Sequence, residues 1–388
     1  MLTAAGILSL LIWGYLLLAR GQFWRIHPAD STDDANQVSA QVAVIIPARN
    51  EADVIGQAIG SLLHQRGSQS IHIYLVDDGS SDQTAQAARA AATSSGHPEM
   101  LTVITGNPLP AGWAGKLWAM HQGIEAARAG ATPPEFFLLT DADILHAPHS
   151  LSTLLAIARS RSADMASFMV KLHCQTLAEK LLIPAFVFFF FKLYPPAWVA
   201  DPRRSIAGAA GGCILIRAAA LQSAGGIEAI RNAVIDDCAL AARVKHNGGR
   251  LWLGVSASTR SIRPYGGFSE IGRMISRSAF NQLGHSAWLL LAALLGMAAT
   301  YLLPPALVIF AWHRGPAPVA LGVAAWLAMA ISFIPVLRLY RLNPFWGLAL
   351  PLMALFYMGA TFHSAYKYWS GRGGEWKGRV QDPLGDQR

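Results

Sequence analysis

Two aspartates with one residue between them, Asp141 and Asp143, directly follow the apolar run FFLLT at 136–140. Mg²⁺ and Mn²⁺ prefer hard oxygen ligands, usually one or two carboxylates together with the phosphate oxygens of a substrate. The pair therefore predicts a site for such an ion and a phosphate-bearing ligand, although an acidic surface loop would give the same residues. A calcium site of the EF-hand type is excluded, because His146 stands where that motif requires a glycine.

A second acidic pair, Asp236 and Asp237, stands at the start of the segment IDDCALAARVKHNGG, 235–249. The segment predicts a helix, and capping and the helix dipole stabilise an aspartate in a first turn. Capping accounts for one of the two residues. The other is a candidate general base that would take a proton from a hydroxyl group of a substrate.

Three further segments combine polar side chains with residues that are typical of tight loops: PARNE at 47–51, DDGSSD at 77–82, and GWAGK, which ends at Lys116. Asp77 or Asp78 could accept a hydrogen bond from the imide N–H of a uracil base. Lys116 and its neighbouring glycines could contact a diphosphate at a helix start. Ordinary turns, and a capped helix with a solvated lysine, explain the same residues without a ligand.

These motifs follow the strands of a predicted parallel sheet. Apolar runs alternate with segments of helical period, which predicts an α/β fold with right-handed crossovers. The predicted strands are VAVII at 42–46, IHIYLV at 71–76, LTVI at 101–104 and FFLLT at 136–140. PARNE, DDGSSD and the first aspartate pair come directly after the first, second and fourth strands. Because ligands bind at the carboxyl ends of parallel strands, we expect these motifs at one mouth of the sheet.

The composition indicates a chain that is partly embedded in a membrane. Hydrophobic residues make up 53% of its 388 residues and charged residues only 14%, where about 25% is usual for a soluble domain. Residues 1–19 carry no charged side chain, and further apolar stretches follow near 287–312, 318–337 and 344–366. Each of them approaches or exceeds the ~20 residues that cross a bilayer. A channel or transporter is not expected, because so much of the chain lies outside these stretches.

Charges and cysteines indicate the compartment. No basic residue precedes the first apolar stretch, whereas Arg20 and Arg25 follow it, which favours a retained anchor over a cleaved signal peptide. The positive-inside rule then predicts a cytoplasmic α/β domain, and the net charge of +8 suits a protein on anionic lipid. Cys174, Cys213 and Cys238 form no spaced pair, which argues against a disulfide framework or a zinc site.

The predicted organisation has four parts. Two segments, 176–199 and 269–285, are apolar or amphipathic but interrupted by charges or prolines, and we expect them to lie at the membrane surface. They belong to the predicted α/β domain, which stands between an anchor and a C-terminal membrane region with a basic tail. The predicted bounds are 1–20 for the anchor, 40–285 for the α/β domain, 286–367 for the membrane region and 368–388 for the tail.

As an ordered set, PARNE, VDDGSSD, DAD, GGC and the Asp-Asp helix resemble the family-2 glycosyltransferases with a GT-A fold, over about residues 40–280. The layout of anchor, domain and membrane region is similar to that of ceramide glucosyltransferase and bacterial lipid glycosyltransferases. GWAGKLWA, DADILHAP, IDDCALA and WKGR at 376–379 look most like the hopene-associated glycosyltransferases of hopanoid-producing bacteria.

This resemblance implies a nucleotide-sugar donor with UDP as the expected nucleotide, Mg²⁺ or Mn²⁺, and inversion at the anomeric carbon. It implies a lipid acceptor at a bacterial inner membrane, with the catalytic domain in the cytoplasm, and no nucleic-acid partner. The Q-x-x-R-W motif of processive members is reduced to Arg277, since Met274 and Ser278 replace its glutamine and tryptophan. Transfer of a single sugar is therefore expected.

The resemblance also assigns roles to residues of this chain. Asp237, or else Asp236, would be the catalytic base, and Asp141 and Asp143 would hold the metal and the diphosphate. Arg277 could meet the diphosphate or the acceptor. The residues expected to bind the donor are Pro47, Ala48, Arg49, Glu51, Asp77, Asp78, Lys116, Asp141 and Arg277.

Two other functions remain open from the sequence. The first is an inert binding or scaffold protein on a glycosyltransferase fold, because a fold does not fix a function. The second is a membrane nucleotidyltransferase, which would release pyrophosphate where a glycosyltransferase releases a nucleoside diphosphate.

Overall fold

The computed structural model describes residues 1–29, 39–67 and 69–371, together with the backbone of 375–376 and 379–380. The helices of the described chain are α1 (Leu2–Leu18), α2 (Ala52–Leu63), α3 (Thr84–Ser94), α4 (Gly115–Arg128), α5 (Ser150–Ser160), α6 (Leu177–Leu193), α7 (Pro196–Ala200), α8 (Ala218–Ser223), α9 (Asp236–His246), α10 (Phe268–Ser278), α11 (Ala287–Met297), α12 (Leu303–Phe310), α13 (Pro316–Leu339) and α14 (Leu350–Trp369). A π-helical turn, Ala298–Leu302, joins α11 to α12.

The strands of the described chain are β1 (Gln41–Ala48), β2 (Ser70–Asp77), β3 (Leu101–Thr105), β4 (Phe136–Thr140), β5 (Ile144–Leu145), β6 (Met165–Lys171), β7 (Cys213–Arg217), β8 (Leu251–Ser261), β9 (Glu375–Trp376) and β10 (Arg379–Val380). The predicted strands correspond to β1–β4 within two residues at each end. Most of the predicted basic tail, including part of its WKGR segment, lies outside the described residues.

The chain forms two compact units. The sheet unit consists of Pro28–His173, Trp198–Arg263 and Glu375–Arg388, and the helical unit consists of Met1–His27, Cys174–Ala197 and Pro264–Gly374. The segment around α6 and the segment around α10 group with the helical unit. The domain bounds given from the sequence stay a prediction.

Eight strands of the described chain form the main sheet, in the order β3-β2-β1-β4-β7-β6-β8-β5. The pairs β3-β2, β2-β1, β1-β4 and β6-β8 are parallel, and β7 lies antiparallel to both β4 and β6. The interior strands are apolar on both faces because helices cover the sheet, and β1 is buried from Val42 to Ala48. This is the predicted GT-A architecture, a mostly parallel mixed sheet with flanking helices.

Close packing of α4 on the sheet fixes the start of that helix. A Cβ atom at Gly123 would lie 2.9 Å from Ile45 Cγ2 and 3.1 Å from Val76 Cγ2, so only glycine lets the helix approach β1 and β2 this closely. The backbone N–H of Ala114, just before α4, donates to the carbonyl of Arg231 at 2.7 Å. The middle of α4 is therefore held against the sheet, and its start is held by the loop that leads to α9.

In the helical unit, three helical segments of the described chain are long and apolar enough to cross a membrane: Ala287–Phe310, Pro316–Leu339 and Pro344–Trp369. They agree with the predicted stretches. Large apolar side chains on them are exposed, including Trp288, Phe310 and Leu352, as expected where lipid is the surrounding solvent. The helix α1 is shorter, with 17 residues.

Candidate active site

The loops after β1 and β2 are held together by hydrogen bonds. The strands pair in register up to Ala48 and Asp77, and the Asp78 N–H donates to the Ala48 carbonyl at 2.8 Å. The Arg49 guanidinium donates to the Asp78 carbonyl at 2.5 Å and lies 3.9 Å from the Asp78 carboxylate, which is buried. PARNE and DDGSSD therefore form one wall, as their positions after adjacent parallel strands predict.

Within this wall, Asp77 and Asn50 arrange the turn. Asp77 Oδ1 accepts a hydrogen bond from the Ser80 N–H at 2.9 Å, and Asn50 Oδ1 accepts one from the Ser81 N–H at 2.8 Å. Asn50 has a left-handed backbone with φ of 53°, which asparagine tolerates better than most residues. The turn chemistry expected of DDGSSD is present, so Asp77 has a structural task whether or not it also meets a base.

The two aspartates after β4, Asp141 and Asp143, lie in different environments. The Asp143 carboxylate accepts a hydrogen bond from Ser261 Oγ at 2.6 Å and lies 3.6 Å from Arg263 Nε. Arg263 also forms an ion pair with Glu51, the last residue of PARNE. Asp143 is thereby joined to the first loop through Arg263, which follows β8 and to which no sequence pattern pointed.

Lys116 connects the other aspartate of that pair to the acidic helix start. Its Nζ lies 2.9 Å from Asp141 Oδ1 and 3.1 Å from Asp236 Oδ2. Burial opposes the charge of this ammonium, but the two carboxylates outweigh burial and raise the pKa of Lys116 above its usual value. The lysine is a shared counter-ion and not the solvated side chain that the alternative interpretation assumed.

Asp237 is held by two backbone amides. Its Oδ2 accepts a hydrogen bond from the Gly211 N–H at 2.8 Å, and its Oδ1 accepts one from the Cys238 N–H at 2.7 Å. A Cβ atom at Gly211 would lie 3.3 Å from Asp237 Oδ2, so glycine allows this close approach. The small residues of the segment GAAGGCILI, 208–216, let the Asp237 carboxylate come this close to the backbone.

The surroundings of Asp237 make it more basic than an ordinary aspartate. Burial, and then the neighbouring Asp236 carboxylate, raise the pKa of Asp237 to about 6, while Lys116 and the two amides act in the opposite direction. Burial likewise raises the pKa of Asp141, and Asp143 adds to the shift while Lys116 opposes it. An anionic carboxylate with a pKa near neutrality is suited to accept a proton.

These carboxylates could take a divalent ion together with a substrate. No group of three or more His, Cys, Asp or Glu residues gathers at a metal-binding distance in the part of the chain that the structure describes. Asp141 and Asp143 can supply two carboxylates, and Mg²⁺ or Mn²⁺ commonly completes such a set with water and phosphate oxygens. The residues present therefore fit an ion that arrives with a diphosphate.

The structure brings most of the predicted site residues into the sheet unit. Asp141, Asp236 and Lys116 are in direct contact, and Asp237 follows Asp236 at the start of α9. Pro47, Lys116, Asp141, Asp236 and Asp237 line one small cavity, together with Gly211. Arg277 lies in α10, in the helical unit, and its role stays a prediction.

Apart from the backbone amide of Cys238, the cysteines take no part in the contacts described above. None of the three forms a disulfide in the described chain. Cys238 Sγ lies 3.6 Å from the Ala209 carbonyl, and burial raises the pKa of Cys213 to about 12, so that its thiolate is disfavoured.

Comparisons with known proteins agree with this fold. Residues 43–224 match the model of the family Glycosyl transferase family 2. No curated protein matches the chain significantly. Among solved structures, the mannosyltransferase PcManGT from Pyrobaculum calidifontis, in complex with GDP-Man and Mn²⁺, has a TM-score of 0.57 at 20% identity. The similarity covers 95% of this chain and 99% of that chain.

Weaker similarity extends to TarS of S. aureus, with a TM-score of 0.42 and 19% identity over 62% of this chain and 40% of that one. It also extends to glucosyl-3-phosphoglycerate synthase from Mycobacterium tuberculosis in complex with Mg²⁺ and UDP, with a TM-score of 0.40 and 17% identity over 63% and 79% of the two chains. The sheet has the GT-A fold, and residues 43–224 are similar to the family 2 glycosyltransferases.

Proposed function

We propose that the protein is an inverting glycosyltransferase that moves one sugar from a nucleotide-sugar donor, with UDP as the expected nucleotide, to a hydroxyl group of a lipid. One observation carries the proposal: Lys116 contacts both Asp141, on the predicted donor side, and Asp236, beside the predicted base. A leaving diphosphate needs positive charge beside it, and an attacking hydroxyl needs a base within a few ångströms. Lys116 can supply the charge, and the acidic residues next to it can supply the base.

The residues divide the reaction between them. Asp237 accepts the proton of the acceptor hydroxyl. At the same time the oxygen of that hydroxyl forms a bond to the anomeric carbon, and the bond from this carbon to the diphosphate breaks. The Gly211 and Cys238 amides hold the Asp237 carboxylate in place. Lys116 provides positive charge next to the place where negative charge develops on the leaving group.

On the donor side, Arg49, Asp77 and Asp78 form the wall that would hold the nucleoside, and Asp141 and Asp143 would hold Mg²⁺ or Mn²⁺. When bound, such an ion neutralises charge on the diphosphate. Ser261 and Arg263 fix the orientation of the Asp143 carboxylate, so this metal-binding carboxylate would be in place before any ligand arrives.

The lipid nature of the acceptor is supported by the helical unit of the same chain, which carries the candidate membrane spans. An enzyme anchored in a bilayer meets acceptors that partition into that bilayer at high local concentration. A hopanoid or another lipid with a free hydroxyl in the inner membrane of a bacterium fits this expectation, with the catalytic domain in the cytoplasm.

The test uses the purified full-length protein in nanodiscs made from bacterial lipid extract, supplied with a panel of nucleotide sugars. We expect release of a nucleoside diphosphate and a lipid whose mass increases by one hexose residue. Release of pyrophosphate would instead identify a nucleotidyltransferase. Binding of the nucleotide sugar without any release would identify an inert binding protein.

The transfer rate should depend on pH through Asp237. Since a base must be ionised to accept a proton, and its pKa is about 6, the rate should rise with pH up to about 6.5 and then level off. Below pH 6 the rate should fall about tenfold per pH unit. Single-turnover rates measured with saturating donor give this profile, and a rate that stays constant between about pH 5 and pH 7 would contradict the role of Asp237.

Replacing Gly211 with alanine is expected to lower the transfer rate about tenfold, because a small displacement of a reacting group is costly. The new methyl group would lie 3.3 Å from Asp237 Oδ2, so this carboxylate must shift, whereas Lys116 Nζ, at 3.6 Å, would be in ordinary contact. Gly60→Ala in α2 is the control, since its Cβ atom would meet nothing within 4 Å and should leave the rate unchanged. Equal rates for the two variants would contradict the role of Gly211.

A further inference from the structure

A buried side chain joins the end of β4 to the segment that precedes β7. Thr140 is the last residue of β4, and its pairing with Cys213 is the last of the antiparallel ladder between the two strands. The ladder of backbone hydrogen bonds stops there, but the Thr140 hydroxyl extends it by donating to the Gly212 carbonyl at 2.8 Å. We call this hydrogen bond the strand-end link.

The strand-end link stands between two groups of the candidate active site. Asp141, expected on the donor side, follows Thr140 directly in the chain. Gly211, whose N–H donates to Asp237 Oδ2 at 2.8 Å, directly precedes Gly212. The link therefore connects the backbone next to a donor carboxylate with the backbone that holds the expected base.

A buried histidine directs the Thr140 hydroxyl. His146 Nε2 lies 3.0 Å from Thr140 Oγ1, and both side chains are buried. Because the hydroxyl gives its one proton to the Gly212 carbonyl, its oxygen must accept a hydrogen bond from His146, which places the imidazole proton on Nε2. Burial lowers the pKa of His146 to about 4, so the ring is neutral near pH 7 and keeps only this proton.

His146 is itself anchored to the helices that flank the sheet. Its backbone N–H donates to Ser61 Oγ of α2 at 3.0 Å, and its Nδ1 lies 3.4 Å from Ser150 Oγ of α5. Hydrogen bonds of this kind are expected for any buried imidazole. What distinguishes this one is its partner Thr140, the residue that carries the strand-end link.

We propose that Thr140 and His146 are positioning residues that hold Asp141 and the Asp237 carboxylate at a fixed separation. The proposal rests on the proposed glycosyl transfer, in which the donor lies at Asp141 and the acceptor beside Asp237. Transfer is sensitive to that separation, because the reacting atoms must approach to about 3–3.5 Å in the right orientation. Binding of the donor alone has no such requirement.

The test compares rate with donor affinity in the full-length protein in nanodiscs. Thr140→Val removes the hydroxyl at nearly constant volume, and it should lower the single-turnover rate about tenfold while donor affinity by calorimetry changes less than about twofold. Thr140→Ser keeps a hydroxyl and should restore most of the rate. An unchanged rate in Thr140→Val, no recovery in Thr140→Ser, or a parallel loss of donor affinity would overturn the proposal.

Thr102→Val is the matched control for the loss of a threonine hydroxyl beside a histidine. Thr102 Oγ1 lies 2.8 Å from His72 Nε2, on the two strands β3 and β2 at the edge of the sheet. This variant removes the same kind of hydrogen bond away from the candidate active site. It should leave both the rate and the donor affinity unchanged.

A second variant tests whether His146 acts through Thr140. His146→Leu removes the N–H and should slow transfer about threefold, the scale of one hydrogen bond. Combined with Thr140→Val it should add no further loss, whereas additive losses would overturn the role of His146. If Thr140→Val does not fold, an unchanged rate in His146→Leu would overturn the proposal.

Hydrogen exchange gives a readout that needs no turnover. In Thr140→Val without ligand, the Gly211 N–H should exchange about fivefold faster, because its hydrogen bond to Asp237 is held less firmly. In Thr102→Val its exchange should be unchanged. Absence of transfer by the unaltered protein would contradict the proposed function, yet faster exchange would still support the strand-end link. Unchanged exchange in Thr140→Val, with normal transfer by the unaltered protein, would overturn the positioning role alone.

Discussion

Replacing Asp237 with asparagine should lower glycosyl transfer by about 10²-fold or more while the affinity for the nucleotide sugar stays near normal. The Asp237 carboxylate is fixed by the Gly211 and Cys238 amides and has a raised pKa, as suits the base that deprotonates the acceptor. Asparagine has nearly the same size but cannot take up the proton. Donor binding by calorimetry and turnover are measured on the same preparation.

The controls separate this role from a structural one. The N-cap of α9 is Ile235, so Asp237 does not cap the helix, and Asp237→Asn would lose one of its two hydrogen bonds with backbone amides. A purely structural role therefore predicts a lower melting temperature, with near-normal turnover of the folded protein. Glu125→Gln on α4 removes an exposed carboxylate that pairs with Arg128, and it should have no effect. Normal turnover in Asp237→Asn with a loss in Asp236→Asn would move the base one residue back.

The second large effect is expected from removal of the metal or of its ligands. In excess chelator the transfer rate should fall by about 10²-fold or more, because a divalent ion contributes several kcal/mol to stabilising charge on a leaving diphosphate. Asp143→Asn, and Asp141→Asn, should weaken donor binding and rate together. Mn²⁺ binding, followed by electron paramagnetic resonance with nucleoside diphosphate present, should weaken in the same variants.

Ser261→Ala provides the graded comparison for this effect. It keeps the Asp143 carboxylate but removes the hydrogen bond that orients it, so Mn²⁺ affinity should fall less than in Asp143→Asn. Full activity in excess chelator, with no change when Mg²⁺ is added, would rule out a metal requirement.

Much of the fold was predictable because its signals are local. The runs at β1 and β4 are apolar on both faces, and β1, β2 and β4 end in polar loops that parallel pairing places side by side. The strands β6 and β8 were not predicted from the sequence. The segment Met165–Lys171 mixes methionine, alanine and serine, and β8 includes glycine and several serines, so neither has a strong strand pattern.

The candidate site was predictable in its residue types and not in its connections. The acidic pairs could be found because their spacing is unusual at strand and helix ends. Lys116 pairs with Asp141 and Asp236, and Arg263 pairs with Glu51 and Asp143. These ion pairs join residues up to 212 positions apart in the sequence. Such contacts depend on side-chain geometry after folding, which spacing in a sequence does not encode.

The position of Lys116 has a consequence for how the two substrates influence each other. One ammonium balances Asp141 and Asp236, so a charge change at either carboxylate alters the field at the other. By thermodynamic linkage, any factor by which donor binding changes the affinity for the acceptor applies equally in the reverse direction. With the donor at Asp141 and the acceptor beside Asp236, as proposed, the two binding events would be coupled through Lys116, and neither substrate would need to touch the other.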